Sequence, residues 1–177
     1  IVVARSSFAN HYTIPSGSME PTLTPGDRVW VDLTDYGISL PFTHIDVIEG
    51  QAPARGDVVV FPSPDKGTRL IKRVVAVGGD RVSVKNGWLT INGQPQAVDD
   101  QHEKLGQHAA FALDLRKGGG PDLPEVEVPS GKVLVMGDAR GNSLDGRYFG
   151  WVDQDHIYGK ATHLFYRSGD GFRWQPL

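Results

Sequence analysis

Residues 14–23 read Ile-Pro-Ser-Gly-Ser-Met-Glu-Pro-Thr-Leu, two serines around a glycine with prolines at either end. Pro15 and Pro21 fix φ, and Gly17 permits close backbone approach. Such a segment can hold the Ser18 hydroxyl rigidly at a surface, as a nucleophile requires. The same residues also make an ordinary Ser/Gly/Pro turn. A serine nucleophile needs a base. The six histidines are His11, His44, His102, His108, His156 and His163. None sits in a motif such as Gly-x-Ser-x-Gly. His102 and His108, near Asp99 and Asp100, match no metal-binding spacing and read as exposed loop residues.

A lysine offers a different base. Leu70-Ile71-Lys72-Arg73-Val74-Val75-Ala76-Val77 sets two cations in an apolar β run. Period-two alternation sends Lys72, Val74 and Ala76 to one face, and Arg73 with Ile71, Val75 and Val77 to the other. A lysine among apolar neighbours is desolvated. Desolvation disfavours its charged form and lowers its pKa by up to about 3–5 units. An inert ammonium then becomes a usable base, and Ser–Lys pairs are a known variant of serine protease catalysis. The competing reading is a lysine that snorkels at a strand edge with its ammonium in water.

Residues 137–147 read Gly-Asp-Ala-Arg-Gly-Asn-Ser-Leu-Asp-Gly-Arg. Two acids and two arginines in a tight Gly-rich loop point to an ion-paired turn. Elsewhere, composition mainly excludes. A net charge of −3 and the lack of a long basic run argue against nucleic acid. The chain has no cysteine, which removes disulfides, zinc–thiolate sites and cysteine nucleophiles.

The elements that must position these residues are strands. Residues 28–32, 57–61, 70–77, 132–136, 157–166 and 171–176 carry β signals. Asn86-Gly87 breaks residues 82–91 into a hairpin. With 22 glycines and 12 prolines between these runs, a mainly β fold is expected. Its core is a folded antiparallel, barrel-like sheet, with a smaller β-hairpin and loop insert. The catalytic core is expected over 1–80 and 132–177, with 81–131 inserted. Residues 94–130 look polar and loop-like. The best helix candidate, 100–117, is weakened by Gly106.

Taken in order, four segments resemble a known family. They are Ser16-Gly17-Ser18-Met19-Glu20-Pro21-Thr22-Leu23; Arg55-Gly56-Asp57-Val58-Val59-Val60-Phe61; Ile71-Lys72-Arg73-Val74 with Gly79-Asp80; and the loop at 137–147. This looks like bacterial type I signal peptidase (leader peptidase). The resemblance implies a Ser18 nucleophile and a Lys72 general base. It implies that the Ser16 hydroxyl joins the Ser18 N–H in the oxyanion hole and that Ser143 orients the lysine. Asp145 and Arg147 match a supporting ion pair, and Asp138, Arg140 and Arg73 match further structural charges. Ile14, Met19, Leu23, Leu70 and Ile71 fall where the family builds shallow apolar substrate pockets. The family's third loop usually reads Gly-Asp-Asn-Arg-Asp-Asn-Ser-x-Asp-Ser-Arg. Here Ala139, Gly141 and Gly146 stand in place of Asn, Asp and Ser, which bears on the loop's rigidity and hydrogen bonds.

The resemblance implies an endopeptidase without cofactor or metal, acting on preprotein signal peptides with Ala-x-Ala cleavage sites. Its place would be the bacterial cytoplasmic membrane, with the catalytic domain on the outer face and the membrane-spanning segment outside this chain. The apolar residues 1–4 are too few to span a bilayer. The lipid bilayer surface is a second expected partner, through Phe149, Trp151, Phe172 and Trp174. Ala110-Phe111-Ala112 has the Ala-x-Ala form itself and, if exposed and extended, could be cut after Ala112. A conjugation-type or divergent processing peptidase of the same family is an alternative. So is an inert β binding module. A self-cleaving repressor of the LexA type also uses a Ser–Lys pair, but this chain has no room for a DNA-binding domain before Ser18.

Overall fold

The computed structural model describes residues 9–33, 38–39, 46–48 and 51–177. The apolar start at residues 1–4 and His44 lie outside them. The fold is mainly β. Eight strands form one sheet, in the order Ala9–Thr13, Arg28–Asp32, Gly159–Arg167, Val58–Pro62, Arg69–Val77, Lys132–Met136 and Val152–Asp153, with Gly171–Pro176 paired to Gly159–Arg167. Its pairings are antiparallel. The sheet does not close into a barrel. Ala9–Thr13 and Val152–Asp153 end its path without meeting, and a last strand of two residues has few backbone groups with which to close a ring.

Burial explains which runs became central. Val58, Val59, Val60 and Phe61 are all buried, because both faces of this strand are covered. Val58 and Val60 join Ile14, Met19, Leu23 and Ile71 on one side. Val59 and Phe61 join Val74, Val133 and Val135 on the other. Arg28–Asp32 alternates instead: Val29 and Val31 are buried, while Arg28 and Trp30 face outward.

The lysine strand departs from strict alternation. Its register against Lys132–Met136 shifts between Leu134, opposite Ala76, and Val135, opposite Val74. Val75 is therefore the extra residue of a β-bulge. Past the bulge the faces exchange. Ala76 packs with Val75, Leu134 and Met136, and Val77 packs with Val74 and Val133. Alternation thus holds through Lys72 and Arg73, where the chemistry needs it, and fails beyond.

Residues 81–127 build a second sheet, in the order Leu123–Glu127, Arg81–Lys85, Trp88–Ile91, Gln94–Pro95. Asn86 and Gly87 take φ of 52° and 87°, as a two-residue hairpin turn demands. Val82 faces Ile91 and Val84 faces Leu89, and all four pack with Val75, Ala76, Leu134 and Met136 of the main sheet. Residues 100–117 are not helical. They hold a two-stranded ladder of His102–Glu103 and Phe111–Ala112, because Glu103, Leu105, Phe111 and Leu113 are drawn into the interior at spacings that suit extended chain better than a helix. The stretch 94–130 is likewise less loop-like than its polarity implies, since Leu123–Glu127 completes the second sheet.

Candidate active site

Ser18 sits in a single 3-10 turn, Gly17–Met19, entered from an extended Ser16 (φ −148°, ψ 163°). Backbone bonds close the surrounding loop on itself. Ile14 N–H donates to Asp27 O at 2.8 Å, Gly26 N–H to Ile14 O at 2.9 Å and Leu23 N–H to Met19 O at 2.9 Å. Met19 and Leu23 are fully buried in this loop. The serine is therefore held by a packed loop with few conformations open to it.

Lys72 comes from the strand Arg69–Val77, opposite Val59. Its Nζ lies 2.7 Å from Ser18 Oγ and 3.0 Å from the Ile71 carbonyl oxygen. The side chain is buried, with 3% exposure. Desolvation pushes its pKa down to about 8, while the negative charges of Asp145 and Asp138 pull it back towards the ordinary lysine value. About one tenth of the lysine is then neutral at pH 7. In that form the Ser18 hydroxyl can donate to the Nζ lone pair while one N–H donates to Ile71. Ser16 is exposed, and its hydroxyl lies 3.4 Å from Ser18 Oγ, open to whatever approaches the nucleophile.

The loop at 137–147 holds the turn from the other side. Ala139 N–H donates to Ser18 O at 3.1 Å. Asp138 is fully buried. It takes a two-pronged contact from Arg73, at 2.9 and 2.7 Å, and a third from the Thr22 hydroxyl at 2.5 Å. Arg73 also donates to Gly56 O at 2.9 Å and covers the Phe111 ring, 3.9 Å from its centre. Asp145 pairs with Arg147 at 2.9 Å, both side chains fully buried, and accepts from Gly137 N–H at 3.1 Å. Arg140 meets Glu103 at 2.6 Å, again without exposure.

Ser143 differs from its expected place. Its hydroxyl is buried and makes no hydrogen bond, and Nζ of Lys72 is served by Ser18 and Ile71 instead. Ser143 Oγ packs against Gly137, where any β-carbon would collide with it and with the Ser18 carbonyl. Gly137 is thus required by close approach on both sides.

Ile14, Met19, Leu23 and Ile71 lie together in one buried cluster. Leu70 is half-buried and packs across the sheet with Phe61 and Val74, because it alternates with Ile71. Lys132–Met136 pairs with the lysine strand only as far as Arg73 and then turns away at Gly137. Residues 69–72 therefore keep one strand edge without a partner among the described residues. His102 pairs with Asp99 at 2.8 Å and His108 with Asp57 at 3.0 Å, so the two histidines serve different carboxylates. Among the described residues no group of His, Cys, Asp and Glu could hold a metal ion.

The four aromatics divide. Phe172 and Trp174 are 77% and 57% exposed. Phe149 is half-buried against Phe61, and Trp151 packs against the second-sheet core. Phe111, the middle residue of Ala110-Phe111-Ala112, is buried under Arg73 and pairs with Glu103. Ala110 is exposed and Ala112 half-buried, so the segment is extended but anchored through Phe111, and cleavage after Ala112 requires Phe111 to leave its place under Arg73. Glu103, Thr22 and Asp114 were invisible as site-supporting residues in the sequence, since each acts through a partner distant in the chain.

The sequence profile of the family described as signal peptidase, peptidase S26, matches residues 1–166. A protein of Pseudomonas fluorescens named signal peptidase I is 38% identical, over 91% of this chain and 66% of its own length. A probable signal peptidase I-1 of Synechocystis is 36% identical, over 93% of this chain and 73% of its own. Among solved structures, a signal peptidase I of Enterococcus faecalis matches with a TM-score of 0.46 and 30% identity, over 63% of this chain and 98% of its own. The chain thus spans about two thirds to three quarters of these curated relatives. With a profile match over nearly the whole sequence and relatives above 30% identity, this chain belongs to the signal peptidase family, peptidase S26.

Proposed function

We propose that this chain is the catalytic portion of a serine endopeptidase that removes N-terminal signal peptides from exported preproteins, with Ser18 as nucleophile and Lys72 as general base. The observation that carries this reading is the 2.7 Å approach of Lys72 Nζ to Ser18 Oγ, inside a site where burial lowers the lysine to about 8. Neutral Lys72 takes the Ser18 proton as Oγ attacks the scissile carbonyl. The Ser18 N–H and the Ser16 hydroxyl stabilise the oxyanion, where loss of one donor costs about 10²–10³ in rate. Collapse expels the new amine, which takes the proton from Lys72. The lysine next deprotonates a water, which hydrolyses the acyl-enzyme.

The substrate adds as an extended strand along the open edge at residues 69–72. Ile14, Met19, Leu23 and Ile71 are buried together, none more than 3% exposed, so any pocket they floor is shallow and suits small side chains, the Ala-x-Ala pattern. Asp138, Arg140, Asp145, Arg147 and Arg73 support this geometry through their buried ion pairs. The bilayer contact falls to Phe172 and Trp174, both on the exposed strand Gly171–Pro176, and no longer to Phe149 or Trp151. Among the described residues no helix is long and apolar enough to cross a membrane.

Two experiments test these proposals. Incubation of the chain with a preprotein should release its signal peptide, and Ser18→Ala should abolish both cleavage and acylation by a serine-directed probe. Retained cleavage by Ser18→Ala overturns the nucleophile. Flotation with anionic liposomes should bring the chain up and fail for the double variant Phe172→Ser, Trp174→Ser. No flotation of the unaltered chain refutes the bilayer contact.

A further inference from the structure

We propose that Glu103, in the second sheet's region, is a positioning residue for the catalytic serine and acts through Arg140. Arg140 is the largest fully buried side chain among the described residues. Each nitrogen of its guanidinium has a separate acceptor. Nε donates to Gly137 O at 3.0 Å, Nη1 to Gly87 O, and Nη2 to Glu103 Oε2 at 2.6 Å. Glu103 has no exposure, and its second oxygen accepts the Leu89 N–H at 2.7 Å. One buried carboxylate and one buried guanidinium thus tie the hairpin around Asn86-Gly87 to the loop that begins at Gly137.

That loop is the one that touches the nucleophile. Gly137 packs against the Ser18 carbonyl, and Ala139 N–H donates to the same oxygen at 3.1 Å. Arg140 holds the same loop through its Nε bond to Gly137 O. Backbone bonds from Arg140 N–H to Asp114 O at 3.1 Å, and from Asp114 N–H to Asp138 O at 3.0 Å, add a second tie. The path therefore runs from Glu103 through Arg140 and residues 137–139 to Ser18. A shift of that loop moves Oγ relative to Lys72 Nζ. Ile14, Met19, Leu23 and Ile71, assigned to the substrate pocket in the proposal above, are buried in a different packed cluster, so Glu103 bears on the chemical step and leaves substrate binding alone. A shift on the order of 1 Å between reacting groups can cost about 10²-fold in rate.

This inference rests on the Ser18–Lys72 reading above. The test compares the full chain with Glu103→Gln, Glu103→Asp and the double variant Glu103→Leu, Arg140→Met, which removes both buried charges together. Each is assayed at a temperature where circular dichroism finds it folded, with a signal-peptide substrate over a range of pH. Glu103→Gln should lose tenfold or more in kcat, keep KM within about twofold and shift the pH midpoint of kcat. Glu103→Asp should recover part of the loss. The double variant should regain thermal stability and stay slow, because Gly137 has still lost its Arg140 contact. If the double variant regains both stability and kcat, or if folded Glu103→Gln keeps wild-type kcat and pH midpoint, the role is structural and the proposal fails. The double variant decides the matter should Glu103→Gln not fold. Loss of this proposal leaves Ser18-dependent acylation of the unaltered chain intact, whereas failure of the dyad reading removes it.

Discussion

The backbone N–H of Ala139 donates to the carbonyl oxygen of Ser18 at 3.1 Å. A main-chain bond holds the nucleophile, so this contact does not depend on which side chain stands at 139, and the buried methyl of Ala139 is compatible with it. This accounts for Ala139 where the family usually carries Asn. The two glycines that also depart from the family pattern have a steric reason. A β-carbon at 141 would meet the carbonyls of Lys117 and Gly118, and one at 146 would meet Leu134 and the Val135 backbone. The loop remains tied through Asp138, Arg140 and Asp145.

Gly137→Ala should disable the enzyme while leaving most of the fold. Its new methyl group would push on the Ser18 carbonyl and on Ser143 Oγ. Displacing the nucleophile by a fraction of an ångström to an ångström should lower kcat by about 10²-fold. Steady-state kinetics on the folded variant would check this, and an unchanged kcat would mean that the turn and the loop can separate freely.

Gly141→Asp restores the family's usual residue and should nevertheless destabilise this chain. The added side chain overpacks the contact with residues 117–118, at a cost of about 1–3 kcal/mol. Urea unfolding should give a lower midpoint. A higher one would show that the loop at 117–118 is not packed as described.

How much of this could be read beforehand depended on distance along the chain. Lys72 was legible because a cation inside a β-branched run is conspicuous, and the Asn86-Gly87 hairpin because its turn chemistry is local. Ser18 needed Lys72 to be distinguished from any Ser/Gly/Pro turn. Glu103 was hidden because its partner Arg140 lies 37 residues away. The bulge at Val75 was hidden too, since register depends on the neighbouring strand and not on the strand itself. Residues 100–117 read as a weak helix although Leu105, Phe111, Leu113 and Leu115 all pack into one cluster, because an extended chain that folds back reaches it at spacings the sequence alone does not distinguish.

Ser143→Ala should not weaken the fold. The hydroxyl is buried without a partner, so its removal deletes no hydrogen bond and relieves a desolvated group. Stability should stay level or rise by about 1 kcal/mol. A loss above about 2 kcal/mol in thermal unfolding would show that the hydroxyl is bonded in solution.

Stability should rise with pH in the alkaline range. The folded pKa of Lys72 is about 8, against 10.5 as its ordinary value. The unfolded chain therefore binds more protons between those values, and stability increases with pH across that window. Well below pH 8 the burial penalty of the charged lysine is fully present; by pH 10.5 it is nearly gone, a difference of about 3 kcal/mol. Chemical denaturation at pH 7.5 and 10.5 should show this increment relative to Lys72→Met, which lacks the titrating group. Equal pH slopes in the two proteins would contradict it.

The central claim is that Lys72 is the base for Ser18. The most direct test is the rate of Ser18 acylation by a serine-directed probe as a function of pH, in the unaltered chain and in Lys72→Met. The account predicts a rate that climbs about tenfold per pH unit below 8 and levels off above it, with acylation lost in the variant. A pH-independent rate between 6 and 10, or near wild-type acylation of folded Lys72→Met, would contradict it.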